Sequence, residues 1–268
     1  MSQSEISPAT PLSVADVVAV LRAAAPPELA EPWDSNQLIC GDPAEPVASV
    51  LLAVDPVTAV VDEAIERGAD MVITHHPLYL RGTDQVSATD PKGRSVHRLI
   101  RAGIALANAH TTLDAAHGGV AAALAAAVGL LATTPLEPNP LDPTQGIGRI
   151  GDLQCPTRLR DLAVAVASAL PDSAPGLLVG GDLDATVETV AVSGGAGDSL
   201  LAAARSAGAD AFLTADLRHH PASEHLEDGR PYLLCGTHWA TEWVGLEPLA
   251  RRLTEDAHSR GASLAVQV

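Results

Sequence analysis

The chain reads as an α/β protein of two similar lobes. Each lobe is expected to be a largely parallel sheet flanked by helices, with a metal site in the cleft between them. Three observations predict this. Short β-branched apolar runs alternate with helix-length segments, the order that parallel sheets produce. Gly68-Ala69-Asp70-Met71-Val72-Ile73-Thr74 recurs 140 residues later as Gly208-Ala209-Asp210-Ala211-Phe212-Leu213-Thr214. The preceding segments, Val61 to Arg67 and Leu201 to Ala207, align as well. A fixed internal offset of this kind marks a repeated structural unit. Finally, three histidine-bearing segments each follow an apolar run, where ligands of parallel sheets gather.

The elements follow in order. Residues 1–12 read as a loose tail. A helix near 13–24 is stopped by Ala25-Pro26-Pro27 and Glu31-Pro32. Val47 to Val54 is a buried strand. Asp55-Pro56 then supplies a cap and a first-turn proline for a helix that Gly68 closes. Met71 to Thr74 is a strand delivering His75. A helix over 92–102 and a strand over 104–108 deliver His110, and residues 118–130 are helical. The stretch 133–156 holds Pro135, Pro138, Pro140, Pro143 and Pro156 and reads as a link. It separates a first lobe (1–132) from a second (157–268). The second lobe holds helices at 157–169, 198–207, 221–228 and 241–254. Its strands are 176–180, 187–193, 211–214, 232–235 and 263–267.

Composition limits function. The chain has 268 residues, enough for one large domain or two lobes with ample core. One Phe, two Tyr and three Trp leave Ala, Val and Leu to build that core. Thirty-three acidic against sixteen basic residues give a net charge of −17. That balance opposes nucleic acid and anionic membranes as partners, while a small-molecule substrate remains open. No apolar stretch reaches membrane-spanning length; Ala-rich 121–132 is too short. The start, Met1-Ser2-Gln3-Ser4-Glu5, lacks the pattern of a signal peptide. Cys40, Cys155 and Cys235 form neither a disulfide framework nor a Cys-x-x-Cys site. The expected location is the cytoplasm.

The chemistry lies in Thr74-His75-His76-Pro77, His110-Thr111-Thr112-Leu113-Asp114 and His238-Trp239-Ala240-Thr241-Glu242. Imidazole and carboxylate are the common ligands of Zn, Mn, Fe and Co. His75, His76, His110, Asp114, His238 and Glu242 exceed the needs of one four-coordinate ion and suit two ions sharing a carboxylate. Adjacent side chains on an extended backbone point to opposite sides, so His75 and His76 are expected to serve different ions. Each His-x-x-x-acid pair shares one face if its segment enters a helix. Any one of these segments alone reads more readily as a polar loop or a capped helix start than as a ligand; their conjunction at equivalent strand ends favours metal.

Other residues carry less. His97, His117, His225 and His258 are expected at the solvated surface. In the repeat, Ala215-Asp216 occupies the place of His75-His76, so Asp216 and His220 are candidates for the layer behind the ligands or for substrate contact. The alternative is a helix cap and a surface histidine. Ser193-Gly194-Gly195-Ala196-Gly197-Asp198 lacks GxGxxG spacing and a P-loop lysine, and reads as a tight strand-to-helix turn rather than a phosphate cradle. No nucleophile elbow is present.

These segments, with Val192-Ser193-Gly194-Gly195-Ala196-Gly197, resemble the NIF-three-like family, also called GTP cyclohydrolase 1 type 2 homologues. The resemblance runs from about Trp33 to Leu253. It implies a dinuclear metal centre between two lobes, with His75, His76, Asp114, His238 and Glu242 as ligands and His110 as ligand or close neighbour. It implies a ring-shaped homohexamer with metal sites facing its interior. Some members carry a domain inserted between the lobes, for which 133–156 leaves no room. The family's Trp-Asp-Asn-x-Gly-Leu stands here as Trp33-Asp34-Ser35-Asn36-Gln37-Leu38, and its Gly-Asp-x-x-x-His as Ala215-Asp216-Leu217-Arg218-His219-His220. Neither departure touches the ligand set.

Two functions follow. One is a metal-dependent hydrolase acting on a nucleotide or similar heterocycle, GTP cyclohydrolase-like by resemblance, with Asp216 or His220 moving protons. The other is a non-catalytic metal-binding, metal-delivery or regulatory protein. Both call for two divalent ions per chain, whether Zn, Mn, Fe, Co or Ni.

Overall fold

The computed structural model describes residues 11–268. The part of the expected tail that covers 1–10 lies outside the described residues; Leu12–Ser13 is a strand, β1. The chain forms two compact units, neither continuous in sequence. The first holds residues 11–23, 35–109 and 250–268, and the second 24–34 and 110–249. These units cut the chain elsewhere than at 132 and 157: residues 24–34 and 110–132 fall in the second unit, and 250–268 in the first.

The first unit is built on a five-stranded sheet. Its strands are β2 (Leu38–Cys40), β4 (Ser49–Ala53), β5 (Met71–Thr74), β6 (Ala105–Asn108) and β15 (Ala265–Gln267), ordered β15-β4-β5-β6-β2. Three pairings are parallel and β2–β6 is antiparallel. β5 and β6 are buried at every position, which is why they read as unbroken apolar runs rather than alternating ones. Leu51, Val72 and Leu106 stand in register and pack against Val61 and Ala64 of α2 (Thr58–Arg67) and Val96 and Leu99 of α3 (Pro91–Ala102). Helix α1 (Val14–Ala24) precedes the sheet, and β3 (Pro46–Val47) pairs with β1.

The second unit has a six-stranded sheet. Its strands are β7 (Leu131–Thr134), β10 (Arg149–Arg158), β11 (Leu178–Gly180), β12 (Thr186–Ala196), β13 (Ala211–Ala215) and β14 (Tyr232–Gly236), ordered β11-β14-β13-β12-β10-β7. A separate pair, β8 (Glu137–Pro138) and β9 (Gly146–Ile147), precedes β10. Here the expectation of a largely parallel sheet is corrected: two pairings are parallel and three antiparallel. Two of the three arise because 133–156, expected as a link, is occupied by strands, and the third is the edge strand β11 on β14. Antiparallel neighbours need no crossover helix, so a proline-rich stretch can add them. Pro138 sits in the two-stranded pair, and Pro156 falls where the β10–β12 register shifts, positions that tolerate a missing N–H.

Register separates the faces of this sheet. Ala191, Phe212 and Leu233 align on one face with Leu200, Leu201 and Ala204. Val192, Leu213 and Leu234 align on the other, against α5 (Val120–Val128) and α6 (Leu159–Ala169). α4 (Thr111–Ala115), α7 (Leu201–Ser206), α8 (His219–Glu227) and α9 (His238–Trp243) complete the unit, and α10 (Leu246–Ser259) runs out of it toward the C-terminus. The expected helix 241–254 is thus two helices. They part at Gly245, where a Cβ would meet the Val120 backbone at 3.0 Å.

The repeated Gly-Ala-Asp does the same work in each unit. Gly68 and Gly208 take left-handed φ of +64° and +78° and let the chain leave α2 and α7. Asp70 Oδ2 then accepts from the N–H groups of Ala48 and Ser49 at 2.8 and 2.9 Å. Asp210 Oδ2 accepts from those of Glu188 and Thr189 at 2.8 and 3.1 Å. Burial alone would raise the Asp210 carboxyl, but these backbone bonds and the Arg230 guanidinium hold it below the usual range.

Candidate metal centre

In the first unit, β5 ends at Thr74 and the next two residues are His75 and His76. Their N–H groups continue the ladder to Ala53 O and Val54 O, at 3.0 and 2.9 Å. Thr74 Oγ1 donates to His76 O at 2.7 Å, and the backbone bends at 75–76. The bend corrects the expectation of opposed side chains: the two rings lie with centroids 5.0 Å apart. His75 is 1% exposed and its Nδ1 lies 3.0 Å from Ala109 O. His76 Nδ1 lies 2.8 Å from Asp55 Oδ1. Asp55 was expected to cap α2. The helix begins instead at Thr58 behind Val57, with no side-chain cap, and the carboxylate turns to His76.

In the second unit, His110 precedes the single turn of α4, and Asp114 N donates to His110 O at 3.1 Å. His110 Nδ1 lies 2.7 Å from Oδ1 of Asp34, whose side chain is fully buried. The other oxygen of Asp34 accepts from Thr111 N at 2.9 Å and from Thr111 Oγ1. Trp33 sets its ring edge-on to His110 at 5.7 Å. His238 opens α9, and its Nδ1 lies 2.7 Å from Asp216 Oδ2. Its Nε2 lies 2.9 Å from Oε1 of Glu242, one turn on, as expected of a His-x-x-x-acid pair entering a helix. The Glu242 hydrogen bond, followed by its charge and by Asp216, outweighs burial and lifts His238 to about 9. Asp216 takes a left-handed φ of +51°, rare for a residue with a Cβ.

The glycine loop has a specific use. It completes β12 and turns into a short 3-10 helix at Asp198–Leu200, so it is a strand-to-helix turn. Gly195 has φ +66°, and a Cβ there would stand 2.4 Å from Glu242 Oε1 and 3.0 Å from His238 Nε2. Only glycine leaves room for that pair. His220 lies exposed in the first turn of α8 with its ring against His219, at 5.2 Å. His97, His117 and His258 are exposed as expected. His225 is not: it is 7% exposed, with Nε2 2.9 Å from Pro231 O and Nδ1 3.1 Å from Arg205 Nη2.

The residues with the donor chemistry for a metal ion are His75 and His76 in the first unit and His110, His238 and Glu242 in the second. The four histidines share one pattern. In each, Nδ1 meets a carboxylate or carbonyl oxygen at 2.7–3.0 Å. When Nδ1 donates, a neutral ring carries its lone pair on Nε2 and is fixed in orientation. Histidines that ligate metals are held in this manner. His238 differs, since its Nε2 faces the Glu242 carboxylate and must give up the proton held there before it can bind a metal. Side chains of this chemistry could hold a metal ion. Sequence reasoning missed Asp34 and Asp55. The signal available was a carboxylate next to a strand end (Asp55) and one in the Trp33-Asp34 segment.

The sequence profile of Duf34/NIF3 (NGG1p interacting factor 3) matches residues 12–268. A Streptomyces coelicolor protein described as a GTP cyclohydrolase 1 type 2 homolog is 50% identical over 257 residues, covering 95% of this chain and 90% of its own. A Mycobacterium tuberculosis protein of the same description is 35% identical over 362 aligned positions, covering 95% of this chain and 94% of its own. The solved structure of a Bacillus cereus protein related to NIF3 matches with a TM-score of 0.89 at 23% identity, covering 96% of each chain. That last likeness is one of fold.

Proposed function

The chain belongs to the Duf34/NIF3 family, and on that premise we propose that it holds two divalent ions and hydrolyses a nucleotide or similar heterocycle. His75, His76, His110, Asp114, His238 and Glu242 are the proposed ligands. The observation that supports this reading best is the shared engagement of Nδ1 in all four histidines. A divalent ion bound by such donors supplies Lewis acidity that makes water a nucleophile near neutral pH. The protein's own part is to orient the rings through Asp34, Asp55, Asp216 and Ala109 O. Asp216 is exposed and bonded to His238, and serves in this reading as the group that moves a proton. The repeated Gly-Ala-Asp geometry supports a duplicated origin for the two halves. The homohexamer implied by the resemblance is proposed with it, and light scattering on the purified protein tests it.

A non-catalytic metal-handling role is the competing reading. The burial of His75 and Glu242, 1% and 3% exposed, favours it, since closed sites are structural ones. Metal content per chain, measured on protein purified without chelator beside a GTP-consumption assay with formate detection, separates the two. About two ions with metal-dependent turnover supports the hydrolase. Two ions without turnover favours metal handling. No stoichiometric metal after reconstitution overturns both.

A further inference from the structure

Helix α4, which His110 precedes and which bears Asp114, is five residues long. One turn cannot sustain itself, and its last carbonyls have no intrahelical donor. Its start is held by Asp34 through Thr111. Its end is held by Arg149. That residue is 4% exposed, and Nη2 donates to Ala115 O and Ala116 O, both at 3.3 Å. Nη1 donates to Gly146 O and Gly148 O at 2.8 and 3.0 Å. Among the described residues, its hydrogen-bond partners are all carbonyl oxygens. A buried guanidinium without a carboxylate is costly, and burial does pull its pKa down. The backbone is shaped to receive it: Gly146 and Gly148 have φ of +151° and +65°, and a Cβ at Gly146 would meet Glu137 O at 2.2 Å.

We propose that Arg149 is a positioning residue for the metal centre. By bonding the last carbonyls of α4 to the β9–β10 turn, it sets the angle at which His110 and Asp114 are presented. The proposal rests on the metal reading above. Only a planar fork with several fixed donors spans both carbonyl pairs. Lysine brings the charge without the fork.

The test is cobalt titration of the full chain, reading affinity and the d–d absorption spectrum, on wild type, Arg149→Lys and Arg149→Met, with melting of the metal-free proteins alongside. The expected result is a folded Arg149→Lys with affinity reduced about 10–100-fold, the range for removing a group that supports a ligand, and an altered spectrum. Arg149→Met, if folded, should lose more. Variants that melt lower yet bind cobalt with wild-type affinity and spectrum overturn the proposal. Failure of both variants to fold overturns it too, making Arg149 a requirement of the fold. Wild-type protein that takes up no cobalt overturns the metal reading itself, a distinct outcome.

Discussion

Replacing Gly195 by alanine should damage the second unit's donor pair and stability together. The left-handed φ of +66° costs any residue with a Cβ about 1–2 kcal/mol. The new Cβ would also stand 2.4 Å from Glu242 Oε1. No carbon and oxygen can share that distance, so Glu242 must move and its 2.9 Å contact with His238 opens. Gly208→Ala is the matched control. Its φ is +78°, but its Cβ would meet nothing within 4 Å, so it carries only the backbone cost. The comparison isolates the clash. With roughly 2 kcal/mol or more lost, Gly195→Ala should lower the Tm by about 4–8 °C, taking 2–4 °C per kcal/mol for a chain of this size. Gly208→Ala should shift it by about half of that. Metal affinity should fall about 10–100-fold in Gly195→Ala alone. Calorimetry and metal titration of the two variants check this. Equal losses in both, or wild-type metal binding in Gly195→Ala, would refute the argument that the glycine exists to make room for the pair.

Three further outcomes are expected. Asp34→Ala removes the acceptor of His110 Nδ1 and of Thr111 N, and should cost about 10–100-fold in metal affinity by isothermal titration; unchanged affinity sinks the role assigned to Asp34. His225 is held below its ordinary pKa of 6.5 by burial, with Arg205 adding to the effect and Pro231 O and Asp228 opposing it. The unfolded chain therefore takes up a proton near pH 6.5 that the folded one refuses, so stability falls as pH drops below about 6.5. Urea unfolding at pH 7 and 5.5 should show His225→Gln losing less over that interval than wild type, and parallel losses would exclude His225 as a source. Burial pushes the Cys40 thiol up to about 11, whereas Cys155 is exposed. Iodoacetamide at pH 8 should label Cys155 before Cys40, and mass mapping that found Cys40 first would contradict the raised pKa of that partly buried thiol.

Much of this architecture was legible because it is local. β5 and β6 announce themselves as apolar runs because both their faces are buried. Gly68 and Gly208 mark helix ends because the backbone there needs positive φ. The failures were tertiary. Residues 133–156 lack periodicity and are rich in proline, yet they form strands because an existing sheet edge offers them partners. Asp55 carries the local signature of a helix cap, but a histidine ring on the next strand competes for it and wins. His225 has polar neighbours in sequence and a buried place in the fold.

The sequence by itself determined which side chains are offered as donors and which strand ends present them, since both follow from residue type and a few neighbours. The tertiary structure decided most of what stands behind the donors. Asp34 and Asp55 lie 76 and 21 residues from the histidines they engage; Asp216, 22 residues from His238, is the exception, marked by the internal repeat. Arg149 reaches across 34 residues to Ala115. No local pattern encodes such partners, because a hydrogen bond is selected by distance in space, and separation along the chain leaves no trace in it.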